Sequence, residues 1–367
     1  MFGPDDRMAA GFGWDLNRVQ LFELASGSEV RAIYDKGRTI GAPSGNVFFS
    51  NDGRWLAFDA DQGASVWDVE AQRTIGERDK RAAGLFGFDA SNQSVLGAMQ
   101  IGDDEYRIFR WPFRSPATNR EGPAPEFGAR CIGLGCVSPD GRLCVAIGEY
   151  PQDKAGRTRA QVLRTDTLSE LARTDFQVGM RHPAFSPDGR LLATGCLNGR
   201  GVKVWEAQTG KLVKDLPIPE GEDKANVAFS QDGHRLVVGT SSQYQFWEVG
   251  NWSPSLRIAQ LPGAMVTPVM AFSPDGSLLA GTFAFTKVRL FKALTGEILG
   301  DLEPPNSYPV TSLSFSPDGT LLAVSEGQAA LHLWDLRAIR QGLAQMRLDW
   351  DLPPYPPNAV QPAKKNR

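Results

Sequence analysis

The residues of this chain able to support acid–base, thiol or metal chemistry are few: three histidines, four cysteines and some neighbouring carboxylates among 367 residues. A metal centre or a general-base site needs several such groups brought together at ligand spacing. His182, His234 and His332 are widely separated. His234 follows Asp232-Gly233 in a turn and is expected to be exposed, His332 lies within a strand, and His182 sits just before a strand, at a mouth of the fold. Structural or solvated roles suit all three. Cys131, Cys136, Cys144 and Cys196 fall on expected strands, and the Cys131-to-Cys136 spacing is wrong for a zinc knuckle. They read as buried thiols acting as small apolar groups, which favours a reducing compartment. Asp103-Asp104 and Glu220 with Glu222 lie in loops, where solvation is the default. There is no phosphate-cradling glycine loop. The sequence therefore predicts no catalytic residue, no cofactor site and no metal site.

The other chemistry available is recognition. Aromatic and arginine side chains dominate the energetics of protein interfaces. Tyr150, Arg181, Arg200, Tyr244, Phe283, Phe285 and Tyr308 all fall in or beside loops expected on one face of the fold. Phe283 and Phe285 flank Ala284 in a short loop, where two exposed rings are costly unless they bind something or fold back onto the strands. Tyr244, where a loop becomes a strand, is the weaker candidate, since it has the option of pointing inward. Near the end of the chain, Trp350, Pro353, Tyr355 and Pro356 form a second set: the Pro353-x-x-Pro356 spacing favours an extended conformation that a groove can read. The competing reading is a clip lying against the body of the protein, anchored by Trp350 and Tyr355.

These residues are positioned by a repeat. Phe185-Ser-Pro-Asp-Gly189 is followed by a short apolar run (Leu191 to Ala193), a Gly/Asn-rich break (Gly195 to Gly201) and the alternating run Val202-Lys-Val-Trp-Glu206. Proline, aspartate and a left-handed glycine in that order suit a type I turn closing a hairpin with a bulge, so the unit reads as strand, turn, strand, loop, strand. Phe49-Ser-Asn-Asp-Gly53, Val137-Ser-Pro-Asp-Gly141, Phe229-Ser-Gln-Asp-Gly233, Phe272-Ser-Pro-Asp-Gly276 and Phe315-Ser-Pro-Asp-Gly319 repeat it. Phe88-Asp-Ala-Ser-Asn92 and Phe2-Gly-Pro-Asp-Asp6 are worn copies, with Asn or Asp in place of the glycine. Asn and Asp tolerate the left-handed conformation best among non-glycine residues. The third strands recur independently, as in Ser65-Val-Trp-Asp68, Val288-Arg-Leu-Phe-Lys292 and Leu331-His-Leu-Trp-Asp335, and a more polar fourth strand follows several of them (Leu212 to Asp215, Ile298 to Asp301). A period of about 40–45 residues with several strands per unit marks propeller blades.

On these motifs residues 2 to 336 resemble the WD40 family of β-propellers, and the Ser-Pro-Asp-Gly form is similar to bacterial WD40 arrays. The chain departs from the usual pattern in lacking the Gly-His dipeptide ahead of the first strand and the Asp before the third strand, with Asn198 standing there in one unit. The Trp350-Asp-Leu-Pro-Pro-Tyr-Pro-Pro357 ending resembles tails that follow WD40 arrays in large bacterial multidomain proteins, some with an upstream Ser/Thr kinase domain. Within these residues there is no kinase motif.

The expected fold is all-β: a seven-bladed propeller of four-stranded antiparallel blades over 28–336, closed by Glu29 to Tyr34 pairing with the last blade. The alternative is eight blades with incomplete terminal ones. Residues 1–27 form a partial leading repeat, which suggests that the chain is the C-terminal part of something longer. Arg114 to Gly128 and Tyr150 to Arg159 read as exposed insertions. Leu336, Ile339, Leu343 and Met346 recur at helical spacing, predicting an amphipathic helix within 337–348. Residues 349–367 are the Pro-rich tail, with Asn358 to Arg367 expected to be disordered.

The formal net charge of −3 is near balance, and the 41% hydrophobic content can build a large core. No basic stripe argues for nucleic acid. Neither a signal peptide nor a membrane-length apolar run is present, so a cytoplasmic protein is expected. The first expectation for function is a non-catalytic scaffold binding a protein or peptide on a propeller face, as the docking or sensing part of a larger bacterial signalling protein. The alternatives are a propeller enzyme, hydrolase or lyase, with a site at the channel mouth, and a structural ring whose tail recruits the partner.

Overall fold

The structure is a computed structural model. It describes residues 8–12, 19–23, 30–33, 46–60, 63–78, 82–102, 105–113, 126–149, 157–260, 268–284, 286–303, 308–326 and 330–355. Tyr150, Phe285 and Pro356 lie outside them, as do residues 2–6, 114–125 and 358–367.

The turn at the heart of each repeat shows why this sequence makes hairpins. Gly189 has φ +70° and its N–H donates to the Ser186 carbonyl at 2.9 Å. The Ser186 hydroxyl donates to Asp188 Oδ1 at 2.6 Å and accepts from the Leu191 N–H at 2.9 Å, while Asp188 Oδ1 also accepts from the Arg190 N–H at 3.0 Å. Serine and aspartate thus satisfy the backbone groups that a tight turn leaves over. The same serine–aspartate bond recurs at Ser50, Ser138, Ser230, Ser273 and Ser316. Asn92 takes the glycine's place in its worn copy with φ +54°.

Each turn opens a meander of antiparallel strands. Group I comprises Val47–Phe49, Trp55–Ala60, Gly63–Asp68 and Arg73–Arg78. Group II comprises Ala82–Phe88, Ser94–Gly102, Glu105–Pro112 and Glu126–Cys131, so the insertion expected to run to Gly128 gives way to strand at Glu126. Group III comprises Gly135–Val137, Leu143–Glu149, Arg157–Arg164 and Glu170–Arg173, with Gln177–Val178 also pairing to its third strand. Group IV comprises Met180–Phe185, Leu191–Leu197, Gly201–Glu206 and Leu212–Pro217. Gly195 to Leu197, expected in a loop, continue the second strand. Group V comprises Lys224–Phe229, Arg235–Gly239, Gln243–Glu248 and Pro254–Ala259, and joins group IV where Cys196 and Leu197 pair with Ala225 and Lys224. Group VI comprises Met270–Phe272, Leu278–Phe283, Lys287–Lys292 and Ile298–Leu302. Group VII comprises Val310–Phe315, Leu321–Glu326 and Ala330–Asp335, and its fourth strand is Val30–Ile33, pairing Val30 with Trp334 and Ile33 with Leu331. Met8–Phe12 and Val19–Glu23 form a separate hairpin.

The first strands of groups I to VII touch their neighbours in order, and that of group VII touches that of group I. Across this last contact the Ser312 hydroxyl accepts from the Val47 N–H at 3.2 Å, and the Ser314 hydroxyl from the Phe49 N–H at 3.4 Å. Apolar side chains between successive groups make up the core. One such layer joins Val145, Ile147 and Val162 of group III to Leu192 and Trp205 of group IV.

A helix, Leu336–Gln345, follows group VII, its N-cap Asp335 accepting from the Ala338 N–H at 2.9 Å. Its Arg340 is buried and gathers the tail. The guanidinium donates to both Asp349 carboxylate oxygens, at 2.9 and 3.0 Å, and to the Leu352 and Pro353 carbonyls at 2.8 and 2.6 Å. The rings of Trp350 and Tyr355 lie 5.8 and 5.3 Å from it. Among the described residues no helix is long and apolar enough to cross a membrane.

Candidate functional site

In a meander, alternate connections lie at opposite ends of the strands. The Ser–Asp turns all join first to second strands, so they share one rim of the molecule. The connections leading into first strands, and those joining second to third strands, share the other.

The second rim carries most of the recognition residues. Arg200 is exposed, in the turn before Gly201–Glu206, and Tyr308 is 46% exposed just before Val310–Phe315. Arg181 is half-buried near the start of its strand. Phe283 ends the second strand of group VI, half-buried, with the Arg289 guanidinium 3.2 Å from its ring centroid. Arg289 in turn pairs with Asp301 at 2.6 and 2.8 Å. The ring therefore lies across its own sheet under a paired cation and is neither free nor core.

Two recognition candidates are buried, on the inward readings that the sequence also allowed. Tyr244 is 0% exposed. Side chains alternate along a strand, and Tyr244 and Phe246 are on the side facing group VI, where the Tyr244 hydroxyl donates to the Thr282 carbonyl at 2.7 Å. Burial pushes that hydroxyl's pKa well above the ordinary tyrosine value. Trp350 is 8% exposed and packs with Leu278, Leu290 and Trp334. Tyr355 is half-buried on the same cluster, and burial pushes its hydroxyl up to about 12. Pro353 is exposed, but its carbonyl is held by Arg340. The tail lies on the rim with the turns, Tyr355 approaching the Gly319 position.

Burial disfavours the charged forms of the four thiols and of two of the three histidines. Burial pushes the Cys131 and Cys144 thiols up to about 11 and about 12, and raises Cys136 and Cys196 as well. A thiol so disfavoured as thiolate is a poor nucleophile. His182 occupies a bulge between Arg181 and Pro183, with φ +45°. Burial, then the neighbouring Arg181 charge, lowers its pKa to about 4, so it stays neutral. His332 is fully buried, its pKa lowered by burial, with Nδ1 3.7 Å from Glu326 Oε1. His234 is exposed in its turn, its N–H donating to Asp232 at 2.9 Å. Among the described residues no group of three or more His, Cys, Asp or Glu is placed to hold a metal.

Two features escaped the sequence reading. The first is a buried network that links Gln177, beside group III, to group IV. The Trp205 indole N–H donates to Thr194 Oγ1 at 2.9 Å, and the Thr194 hydroxyl donates to Gln177 Oε1 at 2.6 Å. The Gln177 amide donates to the Gly195 and Gly201 carbonyls at 2.9 and 3.2 Å. A side-chain buttress therefore exists here without the Gly-His dipeptide. The second is a groove of about 310 Å³ between groups IV and V, lined by Pro217, Ile218, Pro219, Val238, Trp247 and Arg257, with Thr240, Gln243 and Gln245. Aligning the repeats on Ser186 and Ser230 marks only where the two differ: Val238 stands where Thr194 does and Gly221 where Gln177 does.

Comparison with known proteins agrees with this architecture. The family model for the WD domain, G-beta repeat, matches residues 178–206 and 296–335, which carry the third strands of groups IV and VII. WD repeat and SOCS box-containing protein 1 of Homo sapiens is 32% identical over 109 residues, covering 29% of this chain and 25% of that protein. Telomerase protein component 1 of Mus musculus is 25% identical over 226 residues, 58% of this chain and 8% of that protein. WD repeat-containing protein SL1-17 of Schistosoma mansoni is 31% identical over 118 residues, 32% of this chain and 37% of that protein. The chain thus spans about a quarter of the length of the first of these relatives and less than a tenth of the second. All three are eukaryotic, so the bacterial character of the resemblance is not carried by these matches.

Proposed function

We propose that residues 28–336 form a seven-bladed WD40-type propeller acting as a non-catalytic scaffold, and that it binds a protein or peptide partner on the rim carrying Arg181, Arg200, Phe283 and Tyr308. WD repeat proteins generally act as protein-interaction scaffolds. The observation that carries the reading is the contrast between the two rims. The Ser–Asp turns satisfy their own backbone groups, and the tail, held by Arg340, reaches one of them where Tyr355 approaches Gly319. The opposite rim presents arginine and aromatic side chains on groups IV, VI and VII. Buried, protonated thiols and neutral buried histidines also support a non-catalytic role. Docking within a larger signalling protein fits this arrangement, because such a rim binds without rearranging the blades.

The test is recovery of a partner from lysate by the full chain, compared with Arg200→Ala, Tyr308→Ala and Phe283→Ser with Phe285→Ser, alongside Leu212→Ala on an outer strand as control. Hot-spot residues each lower affinity by about tenfold or more when truncated. A partner lost with the rim variants and kept with the control is the expected result. A partner retained by all three folded rim variants overturns the reading. A partner lost only when the chain ends at Leu348 transfers the function to the tail.

A further inference from the structure

The groove between groups IV and V lies where two features of the neighbouring groups are both missing. In group IV, Trp205 has Thr194 as acceptor. In group V, Trp247 meets Val238 and lines the groove, and its indole N–H is buried without an acceptor. The second feature is a cross-strand ion pair. Lys203 opposes and pairs with Asp215 in group IV, and Arg289 opposes and pairs with Asp301 in group VI. At the matching position of group V, Gln245 opposes Arg257, so a cation stands where both neighbours place an aspartate. Gln245 is occupied in donating to the Phe246 and Leu256 carbonyls at 3.0 and 3.2 Å. Arg257 is exposed and has no ion-pair partner among the described residues. In group VII Val324 likewise stands at the Thr194 position and the Trp334 indole N–H also lacks an acceptor, but there the buried His332 opposes Val324 and takes the Gln245 position.

The geometry points to this groove as a binding site for an acidic peptide segment, an Asp or Glu side chain flanked by apolar residues. It rests on the scaffold reading for its protein partner but uses other residues, in a groove that borders the same rim at Pro219 and Thr240. The peptide carboxylate pairs with Arg257 and supplies the negative charge that Asp215 and Asp301 supply next door. Its apolar neighbours lie on Trp247, Pro217 and Pro219, and Gln243 adds an amide at the edge. The charge selects a carboxylate over an amide, because a guanidinium–carboxylate pair is among the strongest charge-assisted contacts. The volume, at the lower end of known ligand pockets, limits the occupant to one or two side chains.

The experiment titrates the full chain, labelled with ¹⁵N-tryptophan, with the peptide acetyl-Pro-Leu-Asp-Leu-amide, its Asn counterpart and hexanoate. The Trp247 indole resonance is assigned from its absence in Trp247→Phe. The expected result is a saturable shift with the Asp peptide, at least about tenfold weaker with the Asn peptide and in Arg257→Gln. The double variant Gln245→Lys with Arg257→Asp installs the neighbours' ion pair; it should melt no lower than the parent and lose the shift. Equal binding of Asp and Asn peptides, binding retained by the double variant, or no shift at all overturns the proposal. Hexanoate binding as tightly as the peptide replaces the peptide with a small acid and also overturns it. A chain that keeps its lysate partner yet ignores the peptide loses the groove and keeps the scaffold reading.

Discussion

Groups IV and V are adjacent, share the Ser–Asp turn and bury the same kind of apolar face, yet they treat one interior position differently. In group IV, Trp205 is 1% exposed and its N–H heads a three-residue network. In group V, Trp247 is half-buried beside an open groove. Group VI offers a third arrangement. Gly281 holds the position of Thr194, and the Tyr244 ring from group V fills the space above it. A Cβ added at Gly281 would come within 2.6 Å of the Tyr244 hydroxyl oxygen. The strand framework therefore does not depend on one set of interior polar residues. It requires the volume to be filled and the polar groups to be paired, and where neither happens a surface becomes available.

Substitutions at the two tryptophans should give the largest difference. Trp205→Ala removes a fully packed indole and orphans part of its network, and should destabilise the chain by about 3–5 kcal/mol. Trp247→Ala removes a half-exposed ring and should cost about half as much. Chemical denaturation of both variants checks this, and equal losses would erase the distinction between the two groups.

Exchanging the residues opposite the rings sharpens it. Thr194→Val leaves the Trp205 N–H without an acceptor and Gln177 Oε1 without its donor, a loss of about 1–3 kcal/mol. Val238→Thr gives Trp247 an acceptor and should gain about 0.5–1.5 kcal/mol. A thermal melt in which Val238→Thr falls below the parent would mean that the indole N–H does not face that strand.

Acid should act on the two groups alike. Burial opposes ionisation of Asp188 and Asp232, but their serine hydroxyls, the N–H groups of Arg190 and His234 and nearby charges outweigh it, so both carboxyls titrate below the ordinary aspartate value. Asp275 and Asp318 are lowered in the same way. A depressed folded-state pKa contributes stability that is complete above the unfolded value near ~3.9 and is lost as pH falls through the folded value. Ser186→Ala and Ser230→Ala should therefore flatten the stability–pH profile below about pH 4 to a similar, small extent. A response from only one of them would show that the two turns differ.

The turns were the most legible part of the chain, because their chemistry is local: serine, aspartate and glycine at fixed spacing make a hairpin wherever they occur, and Asn92 serves where glycine is missing. The pairing of Val30–Ile33 with the last strand was legible for a different reason, since the final repeat left an edge needing a partner. The side on which Tyr244 falls was not legible, because a one-residue change in where a strand begins moves a side chain to the opposite face. Neither was Gln177, whose partners lie on two other strands and whose type carries no motif. Phe283 stood between two readings because its outcome depends on Arg289, which lies beyond a turn and is itself fixed by Asp301.

The pairing of Val30–Ile33 with Leu331–Trp334 also constrains how the chain is made. The two strands are separated by about three hundred residues, and at ribosomal rates of roughly 5–20 residues per second the early one waits on the order of tens of seconds for its partner to be synthesised. Groups I to VI can assemble behind it in the order of translation. The seventh gains its fourth strand only after the late segment emerges, and bringing such distant segments together costs little more entropy than closing a much shorter loop, because the cost grows only logarithmically. During that interval the early strand is open to other chains, including nascent copies on the same messenger, and translation speed becomes a determinant of how much protein completes this pairing.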